Sequence, residues 1–226
     1  MKKILIAAIL FFATEGMAMQ MYDLPPFKSI VLNGNATVEL VNGPYATDDD
    51  KTIVKNQVLF ITFKASKISA PRLKNITVAN NSVVNAKNFK TSNLTITAKG
   101  NGTVNLEGKY NINKIYQYGS GRINIDWIDS DNLFIDSNSK GPIYLAGKVN
   151  SMVAKLTHNA MFDARYLRTK KASIFTTDTA RAYIAVLDTL GAFAVDNSNI
   201  YYYKRPHKIT VVTKGSGNVL HPDWIK

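Results

Sequence analysis

The chain of 226 residues carries 28 Lys and Arg against 16 Asp and Glu, a formal charge of +12, with 46% hydrophobic residues and no cysteine. That length fits one or two domains with material for a sizeable core, and the missing Cys excludes disulfides, zinc–thiolate sites, iron–sulfur clusters and thiol catalysis. Only 19% of residues are charged while Gly, Asn, Ser and Thr abound, a balance that suits many short strands and turns and predicts an all-β chain.

Lys2 and Lys3 form a basic start, Ile4 to Ala13 an apolar run, and Gly16-Met17-Ala18 sets small residues before a cleavage point. This is the form of a secretory signal peptide over residues 1–18, too short to cross a bilayer as a helix, and it predicts export to the periplasm, the outer surface or the medium. No cysteine follows for a lipoprotein anchor, and no later segment is apolar for long enough to span. Cleavage removes two lysines and Glu15, leaving +11 on one expected domain over residues 19–226.

Phe27-Lys-Ser-Ile30 then leads to Ala36, Val38 and Leu40, which alternate as one strand-bearing turn. Asn42-Gly-Pro44 and Asp48-Asp-Asp50 punctuate, and Thr52 to Val54 and Val58 to Phe63 read as a hairpin through Lys55-Asn-Gln57. Such a hairpin at the start of a repeat array is expected to cap its open end.

The array begins near residue 80. Gly100-Asn-Gly-Thr-Val-Asn-Leu106 recurs as Gly119-Ser-Gly-Arg-Ile-Asn-Ile125 and Ser139-Lys-Gly-Pro-Ile-Tyr-Leu145, with weaker copies from His158, Asp178, Asp196 and Gly215. The third residue of each unit is small: Ser82, Gly102, Gly121, Gly141, Ala160, Ala180, Ser198 and Gly217, at steps of 20, 19, 20, 19, 20, 18 and 19 residues. Two and four residues after these markers come apolar pairs such as Val104/Leu106, Ile123/Ile125 and Ile143/Leu145, and a second set lies eight and six before, such as Leu94/Ile96 and Leu133/Ile135. Spacing of two is a strand with one buried face. No stretch of helical periodicity intervenes, so βαβ crossovers are not expected. The constant small marker favours a single-stranded parallel β-helix of about 19–20 residues per turn over a β-sandwich, whose hairpins impose no such register; seven steps would stack to about 33 Å.

Phe27-Lys-Ser-Ile-Val-Leu-Asn-Gly34, the hairpin before the repeats and the Gly-Ser-Gly turns at 119–121 and 215–217 together resemble the head GIN domain family of autotransporter-adhesin-like exported bacterial proteins, over about residues 27 to 220. The resemblance implies a right-handed β-helix and an adhesive role, and carries no catalytic motif or cofactor.

In stacked turns, equivalent residues form ladders about 5 Å per rung. His158, Asp178 and Asp196 share one register; they could hold a cation or serve glycosidic chemistry, or could replace Gly at a left-handed corner, as Gly100, Gly119 and Gly215 suggest. On the outward face, Tyr144, Asp163, Tyr183 and Tyr201, with Arg181 and Arg165 near in register, form a platform suited to sugar rings. On the opposite strand Phe175, Phe193 and Val212 make an outward apolar ladder, expected either to meet a partner or to lie under a covering segment. The basic excess is scattered and no nucleic-acid motif accompanies it, which points to an anionic envelope polysaccharide or a surface protein as partner; self-association is also open. The expected function is therefore a non-catalytic, adhesin-like β-helix without a cofactor. The alternative is a polysaccharide lyase or glycoside hydrolase acting on an acidic glycan.

Overall fold

The computed structural model describes residues 20–49, 52–62 and 66–222. The leader assigned to residues 1–18 lies outside them, as does Phe63. Among the described residues there is no α-helix, and nineteen strands join in one sheet wound around a single apolar core. All pairings are parallel except three short ones near the N-terminal end, so the chain is the expected parallel β-helix.

The core is built from the alternating apolar residues. Val104, Ile123, Ile143, Phe162, Ala182 and Ile200 stand opposite one another on successive turns. Ile96, Ile115, Ile135, Ala154, Ile174 and Ala192 do the same on the second face, and both ladders are buried throughout. Volume is balanced along the stack: the turn that carries Phe162 also carries Ala154 and Ala164, all at 0% exposure.

The sequence predicts two short strands per turn, and the structure joins them. Ile123–Ser139, Pro142–Thr157, Met161–Thr176 and Arg181–Asp196 run 17, 16, 16 and 16 residues. Each bends across two faces at an irregularity in register, at Ile125/Ile128, Tyr144/Ala146 and Ala164/Arg168. A bulge needs no Gly, Pro or Asn, so this corner leaves no break in the sequence. It also absorbs the extra or missing residues that make the repeat vary.

The marked corner is of two kinds. At Ser82, Gly102, Ala160, Ala180, Ser198 and Gly217 the marker N–H bonds the carbonyl three residues back. In those corners the residue two before the marker is left-handed: Asn80, Gly100, His158, Asp178, Asp196 and Gly215 have φ between 55° and 67°. At Gly121 and Gly141 the corner is open and pressed hardest against its neighbour: a Cβ on Gly121 would overlap the Gly102 carbonyl oxygen, and one on Gly141 the Gly121 carbonyl oxygen, while at Gly102 and Gly217 it would also crowd the Val78 and Ala194 carbonyl oxygens. The small marker thus has the steric origin expected of it.

At the N-terminal end the stacking order departs from chain order. Ser29–Leu32 lies between Val58–Ile61 and Leu73–Val78, and Thr37–Asn42 between Ser66–Ala70 and Val83–Lys87. The coil that holds Val58–Ile61 and Ser66–Ala70 therefore stacks outside the earlier coil of 29–42. Its outer edges are closed by antiparallel strands: Ile53–Lys55, the other arm of the expected hairpin, and Ala46–Thr47, which in turn pairs with Tyr22–Asp23. The C-terminal end differs. There Lys208–Gly215 is exposed at every residue and, among the described residues, pairs only with Arg181–Asp196.

Candidate ligand-binding face

One outward ladder runs the length of the helix. In register it reads Lys67, Glu39, Asn85, Asn105, Asn124, Tyr144, Asp163, Tyr183, Tyr201 and Leu220. Parallel in-register stacking repeats one side chain above another, so its chemistry changes in blocks. The first block is an amide ladder: Asn105 donates to Asn85 at 2.8 Å, and Asn124 to Asn105 at 2.6 Å. These bonds hold the rungs in line and satisfy their polar atoms along the stack.

The second block contains the predicted platform. Tyr183 and Tyr201 stack at 5.0 Å between centroids with planes 10° apart. Arg122 lies over the Tyr144 ring at 5.7 Å. Asp163 is 6% exposed and is held by Arg165, whose Nη2 is 2.6 Å from Oδ2 and whose Nε is 3.0 Å from Oδ1. Arg165 also lies over Tyr183 and Tyr203 at 5.7 and 5.6 Å. Its bonds to Asp163 push the guanidinium pKa further above its ordinary value, so it is a fixed cation.

Asp163 has a distinct task. Its carboxylate, gripped by two nitrogens of Arg165 and accepting the Arg165 backbone N–H at 3.2 Å, orients that side chain across the tyrosines. Asn124, Tyr144, Asp163, Arg165 and Tyr166 line a shallow open depression, with Tyr166 standing 75% exposed at its rim. Arg181 lies on the same strand and face as Tyr183, and both line a second depression with Lys140 and Asn159. All five predicted residues thus share one face. Arg122, Tyr166, Tyr203 and the Asn ladder were not predicted; only the ladder had a sequence signal, Asn recurring three residues after Ser82, Gly102 and Gly121.

His158, Asp178 and Asp196 do fall in one corner register, with left-handed backbone at φ 58°, 59° and 62°. Asp178 Oδ2 accepts the His158 backbone N–H at 2.9 Å and the Thr177 hydroxyl at 3.1 Å. The His158 bond, then that from Thr177, holds its carboxyl below the usual carboxylate range. Asp178 therefore closes the turn between two rungs. Among the described residues no group of three His, Asp or Glu side chains is placed to hold a metal ion.

On the opposite sheet Phe175, Phe193 and Val212 are in register, and the two rings stack at 4.6 Å with planes 7° apart. Phe175 is 37% and Val212 47% exposed. The N-terminal segment, the candidate for a covering strand over this ladder, instead pairs through Tyr22–Asp23 with Ala46–Thr47 at the capped end.

Comparisons with known proteins agree with the fold. Three crystal structures share the fold. A "Putative lipid binding protein" from Parabacteroides distasonis has a TM-score of 0.76 at 19% identity, covering 88% of this chain and 95% of its own. A "putative adhesin" from Parabacteroides merdae has a TM-score of 0.74 at 20% identity, covering 88% and 94%. A second "putative adhesin" from P. distasonis has a TM-score of 0.76 at 19% identity, covering 89% and 94%. No curated protein matches the chain. The family model described as "Putative auto-transporter adhesin, head GIN domain" matches residues 26–206, and the chain belongs to that family.

Proposed function

We propose that this chain is exported and works as a non-catalytic, adhesin-like protein that holds a surface glycan across the Tyr144–Asp163–Tyr183–Tyr201 ladder. The observation that carries the reading is the row of outward tyrosines, with Arg122 over the Tyr144 ring and Arg165 held by Asp163 over the Tyr183 ring. Aromatic faces stack on the apolar faces of sugar rings, and guanidinium and amide groups bond hydroxyls or carboxylates beside them. The open, shallow shape suits a long polymer lying along the stack better than a small molecule, which needs enclosure. A basic protein surface favours an acidic polymer. The adhesin-like family and its exported character support the same reading.

The test is binding of the purified chain to a panel of neutral and acidic bacterial polysaccharides. Binding should fall at least about tenfold in Tyr183→Ala/Tyr201→Ala and persist in Tyr183→Phe/Tyr201→Phe, which keep the ring faces. Binding unaffected by the alanine pair would refute the assigned face. Release of reducing or unsaturated sugars would instead establish the lyase or hydrolase alternative. Against that alternative stand Asp178, whose carboxylate accepts the His158 backbone N–H and the Thr177 hydroxyl within the corner, and Asp163, whose carboxylate is held by Arg165.

A further inference from the structure

The two ends of the β-helix are finished differently. Short antiparallel strands close both edges of the N-terminal coil. Lys208–Gly215 leaves its outer backbone edge unpaired among the described residues, and the core side chains behind it are half open: Ile209 is 40% and Val211 47% exposed. An eight-residue edge strand with apolar residues on its core side is a template for one more strand.

The side chains specify what can pair there. Ile209, Val211 and Thr213 continue the core ladders of Leu190, Ala192 and Ala194, whereas Lys208, Thr210, Val212 and Lys214 face outward. No Asp or Glu occurs between Asp196 and Asp223, while Lys204, Arg205, Lys208 and Lys214 do. A second copy is disfavoured: antiparallel self-pairing of residues 208–214 centred on Val211, which keeps the core-facing residues of both strands on one side, sets Lys208 opposite Lys214 twice. Like charges directly opposed destabilise a pair, and edge lysines are a common guard against self-pairing. The same lysines complement an acidic strand.

We propose that the C-terminal rim is a β-strand addition site for an extended acidic segment of a partner protein. The segment carries carboxylates six residues apart, meeting Lys208 and Lys214, and alternate apolar residues between them that cover Ile209 and Val211. Main-chain bonds along the edge supply affinity, and the two charged ends select the partner. This site lies on a different part of the fold from the tyrosine ladder and does not depend on it.

The experiment uses the whole chain and two synthetic peptides, Glu-Val-Thr-Val-Thr-Val-Glu and its counterpart with lysine at both ends, with backbone amide exchange read across residues 208–215. The acidic peptide should slow exchange in that strand at least about tenfold, and the lysine peptide should not. In Lys208→Glu/Lys214→Glu the preference should reverse. Both side chains lie on an exposed strand, and an unchanged urea midpoint confirms that the double variant folds. Equal protection by both peptides, or no protection by either, overturns the proposal. So does slow exchange, in the free protein, of the alternate amides that point away from Arg181–Asp196, which would mean that the outer edge is already covered by the chain's own end or by a second copy; sedimentation across a concentration series separates those two outcomes.

Discussion

Replacing Gly121 by alanine tests the idea that corner-to-corner contact sets the spacing of the stack. The added Cβ would lie 2.8 Å from both the nitrogen and the carbonyl carbon of Gly102, with the Gly102 oxygen closer still. Interior atoms are already in contact, so the two coils have to part locally by about 1 Å. Two bonds span that gap, Ser120 N–H to Gly100 O at 2.7 Å and Gly121 N–H to Gly100 O at 3.0 Å, and both would stretch beyond useful length. Gly121 is buried, so leaving its donor unmet costs about 1–3 kcal/mol, whereas Ser120 is exposed and loses only the net worth of its bond, about 0.5–1.5 kcal/mol; the variant should therefore lose about 1.5–4.5 kcal/mol. That is a large share of the roughly 5–15 kcal/mol that stabilises a domain. Urea unfolding followed by circular dichroism measures it, with the slope showing whether two-state behaviour survives. Ala180→Gly, at the same ladder position but in a locally closed turn, is the control and should cost about 1–2 kcal/mol, from the loss of a buried methyl and from backbone freedom, with the slope of the transition unchanged. A loss below about 1 kcal/mol for Gly121→Ala would refute the steric account.

Other expected outcomes follow from the same geometry. At His158, whose φ is 58°, glycine should be tolerated and valine should cost about 1–2 kcal/mol, measured by the same unfolding curves; equal effects would point to a role for the imidazole beyond turn geometry. Buried Tyr110 gives its hydroxyl to the carbonyls of Ala86 and Glu107, both at 3.1 Å, so Tyr110→Phe should destabilise by about 1–3 kcal/mol although its ring stays packed. Asp129 is lowered in pKa first by its bond to Lys109 at 2.6 Å and then by Lys148 at 3.4 Å. Its contribution should be complete above the ordinary carboxylate range and vanish as pH falls through the lowered value, a trend that Asp129→Asn removes at a cost of about 0.5–1 kcal/mol at neutral pH and low salt.

The repeat could be read from sequence because two constraints act at fixed intervals: apolar residues alternate where strands face the core, and only small residues fit the marked corner. Ser82 through Gly217 report the second constraint even where glycine is absent. The bulged corner between Ile125 and Ile128 was not readable, since a register slip inside a continuous strand imposes no residue type. The swapped coils at the N-terminus were hidden for a different reason. Ala36, Val38 and Leu40 have the same pattern whether they sit first or second in the stack. The tyrosine face was partly visible, because period-two outward positions name Tyr144, Tyr183 and Tyr201. Arg165 reaching back to Asp163 and across to Tyr203 depends on side-chain direction, which no spacing encodes.

The swapped coils also bear on how the protein is made. The segment from Ser29 to Asn42 is synthesised first, yet both of its neighbours come later in the chain, one ending at Ala70 and the other at Lys87. Its backbone cannot be paired on both sides until that stretch has emerged, so the first cooperative step needs a nucleus of the whole N-terminal segment. Every later coil meets a finished template and adds about 20 residues at a time, as expected for a repeat array. A nascent chain stopped before Lys87 should therefore remain protease-sensitive, while longer ones should gain protection in increments of one turn.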